Sequence, residues 1–138
     1  MRRVFVDSSF YIATLNTGDD LHGVAIATAR NLIAAGDARF VTSDAIIMEV
    51  LAYSAPRGAT QRSAAVRLVE RIRRARDTEI VEQSRDLLDA AIALYDRRAD
   101  KTYSLTDCMS MVICRRQGIG EVLTHDHDFV QEGFAILL

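Results

Sequence analysis

Proline is almost missing from this sequence. Pro56 is the only one in 138 residues, so nothing marks a proline-rich linker or an extended tail. Cysteine is nearly as scarce, and Cys108 and Cys114 fall within one predicted helix on different faces. Two such residues make neither a disulfide framework nor a zinc site, and they read as small core side chains in a reducing compartment. Neither sign of charge dominates: 17 basic residues face 19 acidic ones, for a formal net charge of −2. That balance excludes a module that grips nucleic acid by overall positive charge. No apolar run approaches membrane-spanning length. Val4-Phe5-Val6, behind Arg2 and Arg3, is too short for the apolar stretch of a secretory signal. The expectation is a cytoplasmic protein with no membrane partner.

What is present describes an ordinary folded chain. Hydrophobic residues make up 49% and charged residues 26%, enough of the first to bury a core and enough of the second to cover it. The length suits a single domain over residues 1–138. Short apolar runs alternate with helical periodicity. Val4–Val6, Phe40–Thr42, Glu79–Val81, Val122–Thr124 and Phe134–Leu137 read as strands. Between them lie a helix through Phe10–Leu15, a second capped by Asp19 or Asp20 and stopped by Gly36, and a third opened by Ser43 and Asp44. The third is terminated by Pro56 and Gly58. A fourth helix spans about Thr60–Arg76, a fifth is capped by Ser84, a sixth covers Thr106–Gln117, and a short turn covers Asp126–Gln131. The second helix should turn Leu21, Val24, Ala25, Thr28, Leu32 and Ile33 inward, and the fifth Leu87, Leu88, Ala91, Ile92 and Tyr95. Short buried strands separated by helices predict an α/β fold, with a mostly parallel sheet covered on both faces.

In such sheets chemistry gathers at the carboxyl ends of the strands. Asp7 follows the first strand directly, and Asp126 lies just beyond the fourth. Asp107 sits in the first turn of the sixth helix. Taken singly, each reads as a helix cap before it reads as a ligand. Glu49 does not. It lies in the middle of Ile46-Ile47-Met48-Glu49-Val50-Leu51-Ala52, and its helical neighbours Ala45, Ile46, Ala52 and Tyr53 form a mostly apolar face. A carboxylate there has its head in solvent or points at something, because a buried, unpaired one costs several kcal/mol. If the four acids converge, each pair about 5 Å apart repels by roughly 3 kcal/mol at an effective dielectric of about 20. Protonation or a divalent cation relieves that repulsion. Oxygen ligands alone suit Mg²⁺ or Mn²⁺, the ions of phosphate-ester chemistry.

The segments Val4-Phe5-Val6-Asp7-Ser8-Ser9, Glu49-Val50-Leu51, Ser104-Leu105-Thr106-Asp107 and Leu123-Thr124-His125-Asp126, with Phe129 and Gly133 behind, resemble PIN-domain proteins, and VapC-type toxins in particular. The resemblance runs the length of the chain. It implies a three-layer fold with a central parallel sheet, an acidic pocket at its strand ends, and RNA cleavage dependent on Mg²⁺ or Mn²⁺. Asp7, Glu49, Asp107 and Asp126 match the family's acidic positions, with Asp7 and Asp107 on the principal ion. Asp128 could stand in for Asp126 or cap the short helix. Ser8 and Thr124 occupy places where relatives supply orienting hydroxyls, though strand-end hydrogen bonding explains them equally. The resemblance also implies a toxin of a toxin–antitoxin pair, a homodimer, an RNA substrate and a cognate antitoxin protein. A PIN-fold nuclease of RNA processing and a non-catalytic RNA- or partner-binding module are the alternatives.

Two further features compete for a role. His125-Asp126-His127-Asp128 suggests a transition-metal site, but adjacent residues cannot all face one ion, and His22 is the only other histidine. Arg67, Arg71 and Arg74 share one side of the fourth helix, as a solvated face or as a rim that holds RNA phosphates.

Overall fold

The computed structural model describes residues 1–138. Five strands form one all-parallel sheet: β1 (Arg2–Val6), β2 (Ala38–Ser43), β3 (Thr78–Val81), β4 (Glu121–Leu123) and β5 (Ala135–Ile136), in the order β3-β2-β1-β4-β5. Helices α1 (Ser8–Leu15) and α2 (His22–Ala35) join β1 to β2. The β2–β3 crossover holds α3 (Asp44–Ser54), a 3₁₀ turn (Ala55–Arg57) and α4 (Ala59–Arg74). Helices α5 (Arg85–Arg97) and α6 (Leu105–Gln117) return the chain to β4, and α7 (Asp128–Gln131) leads to β5. No helix is long and apolar enough to cross a membrane.

The central strand shows why the sequence folds this way. Val4, Phe5 and Val6 are at most 2% exposed, because a middle strand of a parallel sheet is covered on both faces and needs apolar residues at every position. They belong to one cluster of 29 buried apolar residues that includes Ile46 and Val50 of α3, Met111 of α6 and Phe129 of α7. The chain first builds outward from β1 through β2 to β3, then returns to place β4 on the other side of β1. The reversal leaves a crevice at the carboxyl ends of β1 and β4, where doubly wound sheets bind their ligands. Asp7 and Thr124 are the residues immediately beyond those two ends.

The helix starts at Ser43 and Ser84 are as expected: their side chains accept from the backbone N–H groups of Ile46 and Leu87. The second helix starts differently. Asp19 spends its carboxylate on the N–H of Leu21 in the preceding turn, and Leu21 occupies the cap position without a side-chain bond. The ring Nδ1 of His22 lies 2.8 Å from the Ala13 carbonyl, so α2 is tied to α1 at its first residue. Two apolar stripes are narrower than their periodicity suggests. On α2 the seam is Ala25 and Leu32, while Val24 and Ile33 are exposed. On α5 it is Leu87, Ala91 and Leu94, leaving Ile92 and Tyr95 outside. Each helix covers the core on one side only, so a stripe's edge positions reach solvent. The short turn begins at Asp128, not Asp126, and the last strand shrinks to two residues.

Candidate metal centre

Asp7 stands at the N-cap position of α1, yet its side chain makes no capping bond. It is 4% exposed, and its Oδ2 accepts from the hydroxyl of Thr124 at 2.8 Å. Thr124 has one hydrogen to give and gives it to Asp7. The Ser9 hydroxyl lies 2.9 Å from that of Thr124 and 3.4 Å from the same Asp7 Oδ2, to which it can also donate. A lone pair of the same threonine oxygen takes the N–H of Asp126 at 3.1 Å. One buried hydroxyl thus ties the end of β1, the first turn of α1 and the segment after β4 together.

Glu49 comes in from α3. Its Oε1 accepts from the Ser8 hydroxyl at 2.9 Å, so the mid-helix carboxylate points at the strand-end crevice and not into bulk water. Asp107 is both cap and site residue. It completes a reciprocal capping box with Ser104, each side chain accepting from the other's backbone N–H at 3.0 Å. Asp126 uses Oδ1 to accept from the N–H of Asp128 at 2.9 Å, which shapes the start of α7.

Asp7, Ser8, Ser9, Glu49, Ser104, Asp107, His125, Asp126 and His127 line one open hollow of about 620 Å³, with no hydrophobic residue among them. Asp128 adjoins it: carboxylate oxygens of Asp107, Asp126 and Asp128 lie within 4.8 Å of one another. The four acids singled out from the sequence therefore share one hollow, and Asp128 joins Asp126 there instead of replacing it. None of the five is paired with an arginine or lysine.

The electrostatics follow from that isolation. Burial pushes the pKa of Asp7 above the usual carboxylate range, bonds from Thr124 and the Ser8 backbone oppose the rise, and the charges of Glu49 and Asp126 add to it. Glu49 is raised by burial, with Ser8 opposing and Asp107 adding. Asp107 is pushed up to about 6, first by burial and then, against its bonds to Ser104, by Asp7 and Asp126. Asp128 is raised by burial and by Asp126. Each shift has burial as its first cause and a neighbouring carboxylate as a further one, so the hollow disfavours the charged forms. The atoms within reach of a single ion are all carboxylate oxygens, hard donors that fit a hard divalent cation, and no imidazole nitrogen joins them.

Sequence reading missed Ser9 and Ser104 as lining residues. Ser9 stands two residues after Asp7 in the first turn of α1, a place from which a hydroxyl can reach back to the strand end. His125 and His127 line the hollow, but neither ring joins the carboxylate oxygens that lie within 4.8 Å of one another. The three arginines of α4 lie elsewhere. Arg67 donates to Ser63, Arg74 is 3.9 Å from Glu70, and Arg71 borders an apolar cleft with Val6, Tyr11, Ile72 and Asp77. The last turn of α4 immediately precedes β3, so Arg71 and Arg74 sit at the amino edge of the sheet, away from the acids.

A sequence model of the PIN domain matches residues 4–134, nearly the whole chain. The chain belongs to the PIN-domain family. It is 31% identical over 134 residues, covering 95% of each chain, to the 23S rRNA-specific endonuclease VapC20 of Mycobacterium tuberculosis. The crystal structure of that VapC20, described as a Sarcin-Ricin loop cleaving toxin, superposes with a TM-score of 0.81 over 96% of each chain. Two more distant structures share the PIN fold. VapBC2 of Rickettsia felis, bound to a DNA fragment from its promoter, has a TM-score of 0.67 at 10% identity, over 98% of this chain and 97% of that one. FitAcB of Neisseria gonorrhoeae has a TM-score of 0.65 at 15% identity, over 98% and 96%. In this PIN domain the acids stand where the sheet's reversal opens its crevice.

Proposed function

We propose that this PIN-domain chain is a divalent-metal-dependent endoribonuclease and the toxin of a toxin–antitoxin pair. One observation supports the reading: four carboxylates from four separate parts of the sequence line one polar hollow and a fifth, Asp128, adjoins it, with no arginine or lysine paired to any of them. The likeness to VapC20, a 23S rRNA-specific endonuclease and Sarcin-Ricin loop cleaving toxin, supports an RNA substrate and a toxin role, and a cognate antitoxin protein is the partner this reading implies. A homodimer is part of the same reading.

Asp107, Asp126 and Asp128, with Asp7 and Glu49 from the same hollow, would hold Mg²⁺ or Mn²⁺. When bound, such an ion makes water a better nucleophile at neutral pH and offsets charge that builds on the phosphate. The chain's own groups do the rest. Thr124 fixes the rotamer of Asp7, and Ser8 fixes that of Glu49, so the carboxylates do not rearrange when substrate arrives. Glu49 Oε2, which has no donor in the protein, is left to take the proton that the attacking water loses. With water as nucleophile the RNA 2′-hydroxyl takes no part; the water oxygen bonds to phosphorus, the P–O3′ bond breaks, and the leaving 3′ oxygen takes up a proton, so the products carry a 5′-phosphate and a 3′-hydroxyl.

The test is incubation with ribosomes and with naked large ribosomal RNA, in Mg²⁺, in Mn²⁺ and in EDTA, followed by mapping of both new ends. The reading expects few cleavage positions, only with metal, and 5′-phosphate ends. Equal cutting in EDTA, or 2′,3′-cyclic phosphate ends, would contradict it.

A further inference from the structure

Helix α7 has four residues, too few to hold its own place by helical hydrogen bonds, yet it begins with Asp128, two residues after Asp126. Those two carboxylates crowd Asp107 of α6 at the distances given above, and like charges so close push the short turn away from the helix. Something outside α7 has to resist that push. Phe129 anchors one side, fully buried and edge-on to Phe134 with ring centres 6.2 Å apart. The other anchor is Glu132, the residue that ends the turn. Its side chain is 4% exposed, and its carboxylate accepts from Arg98 Nε at 2.5 Å, Arg115 Nη2 at 2.6 Å and the Tyr103 hydroxyl at 3.2 Å. Arg115 also donates to the Glu132 backbone carbonyl at 3.2 Å. Burial alone would raise the pKa of Glu132, but the bonds from Arg98, Arg115 and Tyr103 outweigh it and bring it down to about 2.

The partners come from the places that set Asp107. Arg115 lies in the last turn of α6, the helix that carries Asp107 in its first turn. Tyr103 immediately precedes Ser104, the other half of that aspartate's capping box. Arg98 caps the end of α5, the helix packed along α6.

We propose that Glu132 is a positioning residue for the metal centre, a buried clamp that holds Asp126 and Asp128 against Asp107 in spite of their repulsion. Glu132 touches neither ion nor RNA, and its effect reaches them through α7. The proposal rests on reading the acidic hollow as a divalent-cation site.

Glu132→Gln keeps the shape and removes the charge that two arginines hold. Mn²⁺ binding to the full chain, followed by the electron paramagnetic resonance of the free ion, should weaken tenfold or more. Backbone amides of residues 126–134 should exchange hydrogen faster, while those of β1 and β2 do not. Glu121→Gln is the control. It breaks another two-pronged ion pair, that of Arg2 with Glu121 at 2.8 Å, which lies at the amino end of β4. It should leave Mn²⁺ affinity within twofold whatever it does to the melting temperature. Arg115→Gln, a milder cut at the same clamp, should fall between the two and serves if Glu132→Gln does not fold. Wild-type Mn²⁺ affinity in the clamp variants overturns the proposal and leaves the nuclease reading standing. Absence of Mn²⁺ binding to the wild-type chain overturns both.

Discussion

The hydroxyl of Ser8 donates to Glu49 across 2.9 Å, joining the first turn of α1 to the middle of α3. Nothing in the sequence pairs these two residues. Their contact explains how a carboxylate is tolerated on an otherwise apolar helix face: its desolvation is partly offset by a hydroxyl that also aims it at Asp7 and Asp107.

Ser8→Ala should therefore disarm Glu49 without unfolding the protein. A hydrogen bond to a charged group is worth about 1.5–3 kcal/mol. Part of that loss should appear as a cleavage rate about tenfold lower at saturating Mg²⁺. The melting temperature should move by only a few degrees. An unchanged initial rate would remove the Ser8–Glu49 pair from the mechanism.

Asp7→Asn separates the metal-binding role proposed for that carboxylate from a structural one. The amide oxygen can still accept from Thr124, while the buried charge and its repulsion with Glu49 and Asp126 disappear. Metal-dependent RNA cleavage should fall at least a hundredfold. In EDTA the variant should be more stable than wild type, by about 1–2 kcal/mol or a few degrees. A clear drop in melting temperature would instead give Asp7 a stabilising part at the start of α1.

The pH dependence has a definite sign. Asp107 has a folded-state pKa of about 6 against an ordinary value of 3.8, so the folded chain binds its proton more tightly than the unfolded chain. That contribution to stability is fully present below about pH 3.8 and is lost as pH rises through about 6. Asp7 and Glu49 shift in the same direction. In EDTA the wild-type melting temperature should fall between about pH 4 and pH 6, and Asp107→Asn should flatten the decline. The rise on adding Mg²⁺ should be larger at about pH 7.5 than at about pH 5.5, because protons and metal compete for the same oxygens. A wild-type curve that climbs across that window would contradict the assignment.

The arginines of α4 supply a prediction of the opposite kind. With Arg71 and Arg74 at the amino edge of the sheet, replacing Arg67, Arg71 and Arg74 together by Gln should leave the Km for RNA within about twofold. It should also leave the salt dependence of cleavage nearly unchanged. A markedly shallower salt dependence would place RNA along that face.

Some of this site was legible in the sequence, for reasons that are physical. Asp7 is visible because a buried parallel strand is a solid apolar run whose end is unmistakable. Glu49 is visible because a charge on an apolar helix face needs a reason. Other features lay beyond a linear reading. Thr124 shows an ordinary strand-end threonine until its oxygen is found linking Asp7, Ser9 and Asp126. Asp126 and Asp128 could not be told apart by spacing, because a four-residue helix leaves no periodicity, and the fold brings both to Asp107. Val24, Ile33, Ile92 and Tyr95 fit helical stripes but lie at their edges, where only the packing of whole helices decides what is covered. The arginine face of α4 fits a solvated face and an RNA rim by pattern, and its direction depends on which edge of the sheet α4 ends at.

The most direct measurement is calorimetric titration of the wild-type chain with Mn²⁺ near neutral pH, beside Asp107→Asn and Glu49→Gln. Wild type should bind with release of protons, since carboxyls with raised pKa values must ionise to ligate, and each variant should bind at least tenfold more weakly. Failure of the wild-type chain to bind, or equal affinity in all three, would show that these acids do not form a cation site.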